Sequence, residues 1–342
     1  MTDTVPFVLS VDTEEDNWIP ARAGWTTENV RELPAVAARL ARIGIRLTYF
    51  TTYAVAGDQR SFDLVQEAAD AWGGEIAAHL HPWNTPPVGG PPPPLDTMLC
   101  NYNVAFQAAK LSTVTRVLEE RLGHRPTAFR AGRFGLNADT VCALESHGYA
   151  VDSSVTPFFS WSPYDGGPDF VGAPLACYRI GPAGDVRRPT PSAPIVEVPL
   201  SAGYTRFTPA QWGILASRFA RPSWRRLRLP SLAARTGFGR RAILSPETNP
   251  LRDLVALSRR LIDARVGHLQ MFLHSSSLRP GLSPFAPMGR DVERMLVTIE
   301  RYLERMAACV RLEPATVTEV GVGALRRDAT GSCLSGSPKV VR

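Results

Sequence analysis

The strongest constraint on the fold is an alternation of short apolar runs and amphipathic segments in the first half of the sequence. Strand-like runs are predicted at residues 5–11, 45–51, 75–81, 127–130 and 149–152. Between them, apolar residues recur at helical spacing in residues 28–43, 61–72, 101–122 and 137–147. A strand–helix–strand rhythm of this kind predicts an α/β fold with a parallel sheet or barrel.

The alternation stops after residue 152 and returns near the C-terminus. A helix is predicted at 251–265, a strand at 269–273 and a helix at 291–308. We therefore predict one barrel domain over residues 1–327. It carries an irregular insert rich in proline and arginine at about 153–247, whose part at 153–193 is expected to cover one end of the barrel, and a flexible tail at 328–342. A length of 342 residues is compatible with one large α/β barrel.

Composition narrows the class of protein. Hydrophobic residues make up 44% of the chain and charged residues 20%, as in ordinary globular proteins. The five cysteines are widely spaced, which argues against a disulfide scaffold and a cysteine zinc site. The first residues carry no secretory signal pattern, and no apolar run is long enough for a membrane span. We expect a cytoplasmic protein with reduced, mostly buried thiols.

A His-X-His pattern ends the strand predicted at residues 75–81. Residues two apart share one face of a strand, so His79 and His81 would point to the same place. Two imidazoles on one face suit a metal, and a catalytic zinc commonly takes three protein ligands. The pattern alone fits two hydrogen-bonded surface histidines equally well.

An acidic cluster follows the first predicted strand, Asp12-Thr13-Glu14-Glu15-Asp16. The carboxyl ends of parallel strands carry the active site in such folds. The cluster could supply a carboxylate ligand and a separate general base at the rim that also holds the two histidines. The alternative is a solvated turn that caps the next helix.

Three further polar groups follow predicted strands. Arg130 lies in the segment 129–135 and could pair with a buried carboxylate and hold it ionised. Asp152 ends the fifth predicted strand, and His274 ends the strand at 269–273. Each group alone has a structural explanation, but five polar groups at one predicted rim favour chemistry.

The order of these motifs resembles the NodB-homology polysaccharide deacetylases, carbohydrate esterase family four, from about residue 7 to 278. The first family motif, Thr-Phe-Asp-Asp, corresponds to Ser10-Val11-Asp12-Thr13, so the second aspartate is missing and Glu14 is its expected replacement. The second motif, His-X-X-X-His after Glu-Ile-Gly, corresponds to a segment beginning Glu75-Ile76. The string HLHPWNTPP is similar to a divergent branch called WalW-like.

In this correspondence, position 83, where the family has its second histidine, is a tryptophan, and His81 must substitute. The resemblance implies an irregular (β/α) barrel of about seven parallel strands and removal of acetyl groups from N-acetylated sugars. It also implies one divalent metal, expected to be zinc, on Glu14, His79 and His81. Whether Asp12 or Glu14 supplies the carboxylate ligand stays open.

The resemblance also implies a role for each remaining residue. Asp12, held ionised by Arg130, would be the general base for the attacking water. His274 would be the general acid, with Asp152 beside it keeping it protonated. The expected partner is a carbohydrate substrate or surface-glycan precursor, with a phosphate-linked sugar as an open option. A hydrolase of another amide, or a carbohydrate-binding relative without catalysis, are the alternatives.

The insert is the most basic part of a chain with net charge +6. Nine arginines and no acidic residue lie between Glu197 and Glu247. Residues 212–229 mix aromatics, leucines and cations, and could contact an anionic membrane surface or grip phosphates. A surface helix that packs its apolar side on the barrel is the favoured alternative. Nucleic-acid binding is not expected. Four tryptophans in predicted rim loops could stack on a sugar, namely Trp18, Trp25, Trp83 and Trp161.

Overall fold

The computed structural model describes residues 4–16, 24–220, 222–226 and 240–329. Its strands are Thr4–Thr13 (β1), Leu47–Thr51 (β2), Glu75–Leu80 (β3), Ala128–Ala131 (β4), Val151–Asp152 (β5), Tyr178–Ile180 (β6), Ile195–Glu197 (β7), Ala202–Tyr204 (β8), Arg241–Ile243 (β9), Leu269–His274 (β10) and Arg311–Pro314 (β11). Its α-helices are Leu33–Ala41 (α1), Tyr53–Gly57 (α2), Gln59–Trp72 (α3), Val104–Leu122 (α4), Ala138–Ser146 (α5), Pro209–Ala220 (α6), Pro222–Arg226 (α7), Leu251–Asp263 (α8), Gly289–Ala307 (α9) and Val317–Ala329 (α10).

The strands form a curled, mostly parallel sheet in the order β10-β1-β2-β3-β4-β5-β7-β6. Seven of these run parallel, from β10 to β7, and β6 pairs antiparallel with β7. The first half of β1 also pairs with β11. This arrangement is the predicted (β/α) barrel with about seven parallel strands. The alternation of strands and helices predicted for the first half of the sequence is confirmed.

Helix boundaries follow local chemistry. Asp58 begins α3 by accepting a hydrogen bond from the Ser61 N–H, and α3 ends at Gly73, whose φ is 64°. The helix predicted from residue 28 begins as a 3₁₀ turn and becomes α-helical at Leu33, with Pro34 in its first turn. Proline lacks a backbone N–H, so it is well placed where that N–H would have no helical partner.

The barrel interior has an apolar lower half. Val8, Phe50, Ala77, Ala128, Val151 and Val196 fill it from the strands. Val317 and Val320 of α10 close it from below. Polar side chains occupy the same interior face further along the strands, toward their carboxyl ends, because strand residues two apart share a face.

The segment at 153–247 contributes more to the barrel than predicted. It supplies β7, one of the parallel strands, as well as β6 and the separate β8–β9 pair. Its strands are only three residues long, too short for a clear alternation. In α6, Trp212 is fully buried and Leu215 packs against the core, as the surface-helix alternative predicts. Residues 221 and 227–229 of this stretch lie outside the described residues.

Some expectations concern the surface and the chain end. None of the helices in the described segments is both long and apolar enough to cross a bilayer. Cys100 and Cys177 are half-buried, and Cys142 and Cys309 are exposed, so the prediction of mostly buried thiols was wrong for these four. Helix α10 extends to Ala329, into the predicted tail, and residues 330–342 lie outside the described residues.

Candidate metal and catalytic site

The polar residues predicted at strand ends meet at one rim because of strand register. Asp12 of β1 is paired with His274 of β10, and His79 of β3 is paired with Arg130 of β4. Residues in register on neighbouring parallel strands point to the same side of the sheet. All four side chains therefore lie on the inner face of the barrel, above its apolar lower half.

Arg130 and Asp12 form a buried ion pair. The Arg130 Nη1 donates to Asp12 Oδ1 at 2.5 Å, and the two side chains are 0% and 4% exposed. The guanidinium also donates to the Ser153 carbonyl at 2.9 Å and lies 4.0 Å from the Phe50 ring centroid. Burial by itself raises the pKa of Asp12, but the Arg130 charge, the nearby His79 and His274 and the Arg130 hydrogen bond together outweigh burial and lower that pKa. The predicted contact is confirmed, and Asp12 is a carboxylate.

Glu14, His79 and His81 form a buried cluster suited to a metal ion. Their ligand atoms all lie within 4.8 Å of one another. The Nδ1 of His79 contacts the Arg130 carbonyl at 2.8 Å, and the Nδ1 of His81 contacts Glu15 Oε1 at 2.7 Å. If each Nδ1 carries the proton in these contacts, both Nε2 atoms are left with a lone pair. Imidazole nitrogens with one carboxylate oxygen are a donor set that zinc prefers, so these residues fit a divalent metal.

The residues of the acidic cluster have different contacts. Glu14 faces the two histidines, with its Oε2 3.3 Å from the Nε2 of His81. Asp16 accepts hydrogen bonds from the N–H groups of Glu28 and Asn29, where the 3₁₀ turn before α1 begins. The helix-capping alternative is therefore correct for Asp16, while the site contains Asp12, Glu14 and Glu15.

His274 is paired with Glu247. The Nδ1 of His274 lies 2.9 Å from Glu247 Oε2, and the His274 N–H donates to Glu247 Oε1 at 3.0 Å. The Nε2 points toward Asp12 Oδ2, 4.0 Å away. Burial alone would lower the pKa of His274, but the Glu247, Glu14 and Asp12 carboxylates outweigh burial and raise it to about 10. His274 is therefore a protonated imidazolium facing the Asp12 carboxylate.

The predicted role of Asp152 beside His274 was wrong. Asp152 is in register with Phe129 and Glu197, so it points to the outer side of the sheet, away from the barrel interior. Its carboxylate accepts hydrogen bonds from the N–H and the hydroxyl of Ser154, at 3.0 and 2.9 Å. The neighbouring residue Ser153 faces inward and contacts Arg130. A shift of one residue along a strand moves a side chain to the opposite face.

Two residues of the site escaped the sequence reasoning. Glu15 was seen as part of the acidic cluster without a role, and it contacts His81 through Nδ1. Glu247 appeared only as the acid that ends the arginine-rich stretch. Its isolation in a stretch without other acids was the available signal, because a single carboxylate in a basic region stands out as a candidate partner for a histidine.

Gly132 and Trp83 shape the surroundings of His81. A side chain at Gly132 would come within 2.4 Å of the His81 ring, so only glycine allows this approach. The close approach at this glycine is therefore to a histidine of the site. Trp83 stacks on the other side of His81, with ring centroids 4.2 Å apart and planes at 25°.

The site opens into one large cavity of about 790 Å³. Asp12, Glu14, His79, His81 and His274 line its polar side. The other walls are mainly aromatic. Their aromatic residues are Trp83, Phe134, Phe159, Trp161, Tyr164, Phe272 and Phe285. Of the four tryptophans proposed for sugar stacking, Trp83 and Trp161 line the cavity, Trp25 does not, and Trp18 lies outside the described residues.

Comparison with known proteins finds the same fold in solved structures. No protein-family model matches the sequence, and a search of curated proteins found no match. A solved Mycobacterium smegmatis protein assigned as a polysaccharide deacetylase matches with a TM-score of 0.53 and 17% identity, over 98% of this chain and 95% of that chain. A Parabacteroides distasonis protein assigned as a glycoside hydrolase/deacetylase matches with a TM-score of 0.55 and 16% identity, over 96% of this chain and 72% of that chain. At these identities the likeness establishes the fold, which is the NodB-type (β/α) barrel.

Proposed function

We propose that this chain is a metal-dependent hydrolase that removes an acetyl group from an N-acetylated sugar or surface-glycan precursor. The observation that carries the proposal is the convergence of three groups on one cavity: a buried cluster of Glu14, His79 and His81, an ionised Asp12, and a protonated His274. Amide hydrolysis needs a base for the water and an acid for the leaving amine, and the cavity contains one of each.

The metal ligands in this proposal are Glu14, His79 and His81, and zinc is the expected ion because two of the three ligands are imidazoles. A divalent cation there would act as a Lewis acid toward the acyl carbonyl and lower the pKa of water. Glu15 holds the ring of His81 in place through Nδ1, and the Arg130 carbonyl does the same for His79.

The proton transfers in this proposal use two residues. Asp12, oriented and kept ionised by Arg130, takes a proton from the attacking water. His274, oriented by Glu247, gives its Nε2 proton to the amine nitrogen as the C–N bond breaks. Both groups sit on the inner face of neighbouring strands, so they reach the same acyl group. Glu247 takes the role that the sequence reasoning gave to Asp152.

The proposal extends to the branch and the setting of the protein. The segment HLHPWNTPP resembles the WalW-like branch, and its His81 and Trp83 stack on each other at the site. A precursor made in the cytoplasm is the substrate that we expect for such a branch.

Metal content is the first test. We expect about one zinc per chain in the purified protein, lost in His79→Ala and His81→Ala, because each substitution removes one of three ligands. The matched control is His124→Ala, since His124 is an exposed histidine remote in sequence from the site. Removal of the metal by a chelator should abolish acetate release from N-acetylated sugars, and added zinc should restore it.

Two results would overturn the proposal. A wild type that stays free of metal after incubation with zinc, cobalt and nickel would indicate a carbohydrate-binding relative without catalysis. Full activity in both Asp12→Asn and His274→Ala would show that the base and the acid are assigned wrongly.

A further inference from the structure

Stacked aromatic rings form one wall of the cavity. Trp161 stacks on Phe134, with centroids 5.1 Å apart and planes at 29°, and on Phe159, with centroids 5.9 Å apart and planes at 18°. We call Phe134, Phe159 and Trp161 the aromatic shelf. A flat apolar face of this kind suits the apolar face of a sugar ring.

The guanidinium of Arg241 stands at one end of the aromatic shelf. Its Cζ lies 5.0 Å from the centroid of the Phe159 ring, and its Nη1 donates to the Phe158 carbonyl at 3.0 Å. Both contacts hold the guanidinium beside the cavity that it lines. A guanidinium has five N–H donors, so this arrangement leaves several of them available.

Arg241 also differs in charge balance from the other arginine of the cavity. Arg133 is neutralised by Asp165, at 2.6 Å. Arg241 has no carboxylate partner among the residues that the structure describes. Its neighbour in sequence, Arg240, pairs with Asp253 at 2.9 Å. Arg241 is therefore a fixed positive charge in the cavity that no carboxylate of the described residues compensates.

Four carboxylates line the cavity, and one of them, Asp165, pairs with Arg133. Asp12 and Glu14 belong to the metal and catalytic cluster, and Glu247 contacts His274. Ile243, two residues beyond Arg241 on β9, also lines the cavity. The charge of Arg241 would attract an anionic group of a ligand in this cavity. A cavity of about 790 Å³ has room for more than one sugar ring.

We propose that Arg241 binds an oxyanion, a phosphate or a carboxylate, carried by the substrate, while the aromatic shelf contacts a sugar face. This inference rests on the proposed deacetylase function and specifies its substrate class as an anionic N-acetylated sugar. Guanidinium is suited to this task because its planar fork donates two parallel hydrogen bonds to either group.

The test compares three probes on zinc-loaded protein: N-acetylglucosamine, N-acetylglucosamine 1-phosphate and N-acetylmuramic acid. We expect the wild type to have a kcat/KM at least roughly 10-fold higher for an anionic probe than for the neutral sugar, as one charge-assisted contact provides. In Arg241→Met this ratio should fall to near one, while Arg241→Lys should retain part of it. The anionic probe that loses more identifies phosphate or carboxylate as the natural group.

Arg188→Met is the matched control, because Arg188 is an 84% exposed arginine that does not line the cavity. It should keep the wild-type ratio. Equal use of all three probes by wild type and Arg241→Met would overturn the anion site while the deacetylase function stands. Calorimetric binding of an anionic probe that Arg241→Met loses, without any acetate release, would support the anion site and overturn the deacetylase function.

Discussion

Two buried pairs of ionisable groups lie on opposite sides of the same sheet, and they differ in charge. On the inner side, Asp12 meets the Arg130 guanidinium, which together with His79 and His274 lowers the pKa of Asp12 in spite of burial. On the outer side, Asp152 meets Glu197, and both are fully buried. Burial and the Asp152 charge together raise the pKa of Glu197 well above its usual range. Because all four groups are buried, the charge of the neighbouring groups decides which carboxyl group is ionised.

The consequence for function follows from this difference. An ionised carboxylate next to the metal cluster can accept a proton at neutral pH. The outer carboxyl groups, both with a raised pKa, lie in register on β5 and β7, and we expect them to share a proton between these strands. The inner pair is thus suited to catalysis, and the outer pair is suited to holding two short strands together.

The largest effect should come from removing the inner carboxylate. Asp12→Asn should lower kcat for deacetylation by roughly 10²- to 10⁴-fold, the usual contribution of a general base. Asp152→Asn should leave kcat within a few-fold of wild type, because Asp152 faces away from the cavity. The measurement is acetate release from one N-acetylated sugar by both variants. An equal loss of kcat in the two variants would contradict the difference between the inner and outer pairs, and it would show that Asp152 takes part in catalysis.

Next in size is the effect of removing the inner cation. Arg130→Met should destabilise the fold by about 3–5 kcal/mol, because it leaves the buried Asp12 charge without its partner. Urea unfolding followed by circular dichroism measures this. The double variant with Asp12→Asn should be more stable than Arg130→Met alone. If the double variant loses as much free energy of unfolding as the two single variants together, Asp12 and Arg130 are not energetically coupled.

A smaller effect is expected for the carboxylate that orients His81. Glu15→Gln should weaken zinc affinity by roughly 10- to 100-fold, since the His81 Nδ1 loses its charged acceptor. Competition with a chelating dye gives the affinity. Glu75→Gln is the matched control. Glu75 begins β3, at the end of that strand away from His79 and His81, and contacts Thr318. Equal weakening in both variants would contradict a specific role for Glu15.

The smallest effect should appear in the pH dependence of stability. The pKa of Glu197 is raised in the folded state, so its contribution is complete below the pKa of an unfolded glutamate and is lost as pH rises toward the folded value. Each unit by which that pKa is raised corresponds to about 1.4 kcal/mol. Glu197→Gln resembles the protonated form, so its free energy of unfolding should fall less between acid and neutral pH than that of wild type.

Unfolding curves in urea at several pH values provide the measurement for this last comparison. The difference between wild type and Glu197→Gln isolates the outer pair from the other titrating groups. Parallel pH profiles would show that Asp152 and Glu197 do not share a proton.

Much of the site follows from short-range patterns. His79 and His81 share a face because a strand has a period of two, and Glu14 joins them because it follows β1, which ends at the same rim two strands away from β3. The Arg130 contact with Asp12 is of the same kind, since both residues lie near strand ends at one rim. The error at Asp152 arose where the strand is two residues long, so no alternation marked its inward face.

The contact between Glu247 and His274 is one that sequence patterns could not predict. It lies 27 residues before His274 and on a loop after β9, and no periodicity connects a loop residue to a strand residue. The pairing depends on how the β8–β9 pair packs beside β10. Likewise, Arg241 faces the cavity because of that packing, although the sequence places it among nine arginines with no feature that distinguishes it.

The sequence by itself determined the parallel barrel and the side of each long strand that carries chemistry, because hydrophobic periodicity and strand order are local properties. The tertiary structure alone decided which carboxyl group is ionised, which acid orients His274 and where the aromatic shelf ends. Those outcomes depend on distances between segments remote along the chain. Electrostatic energies change over a few ångströms, and only the packed fold sets such distances.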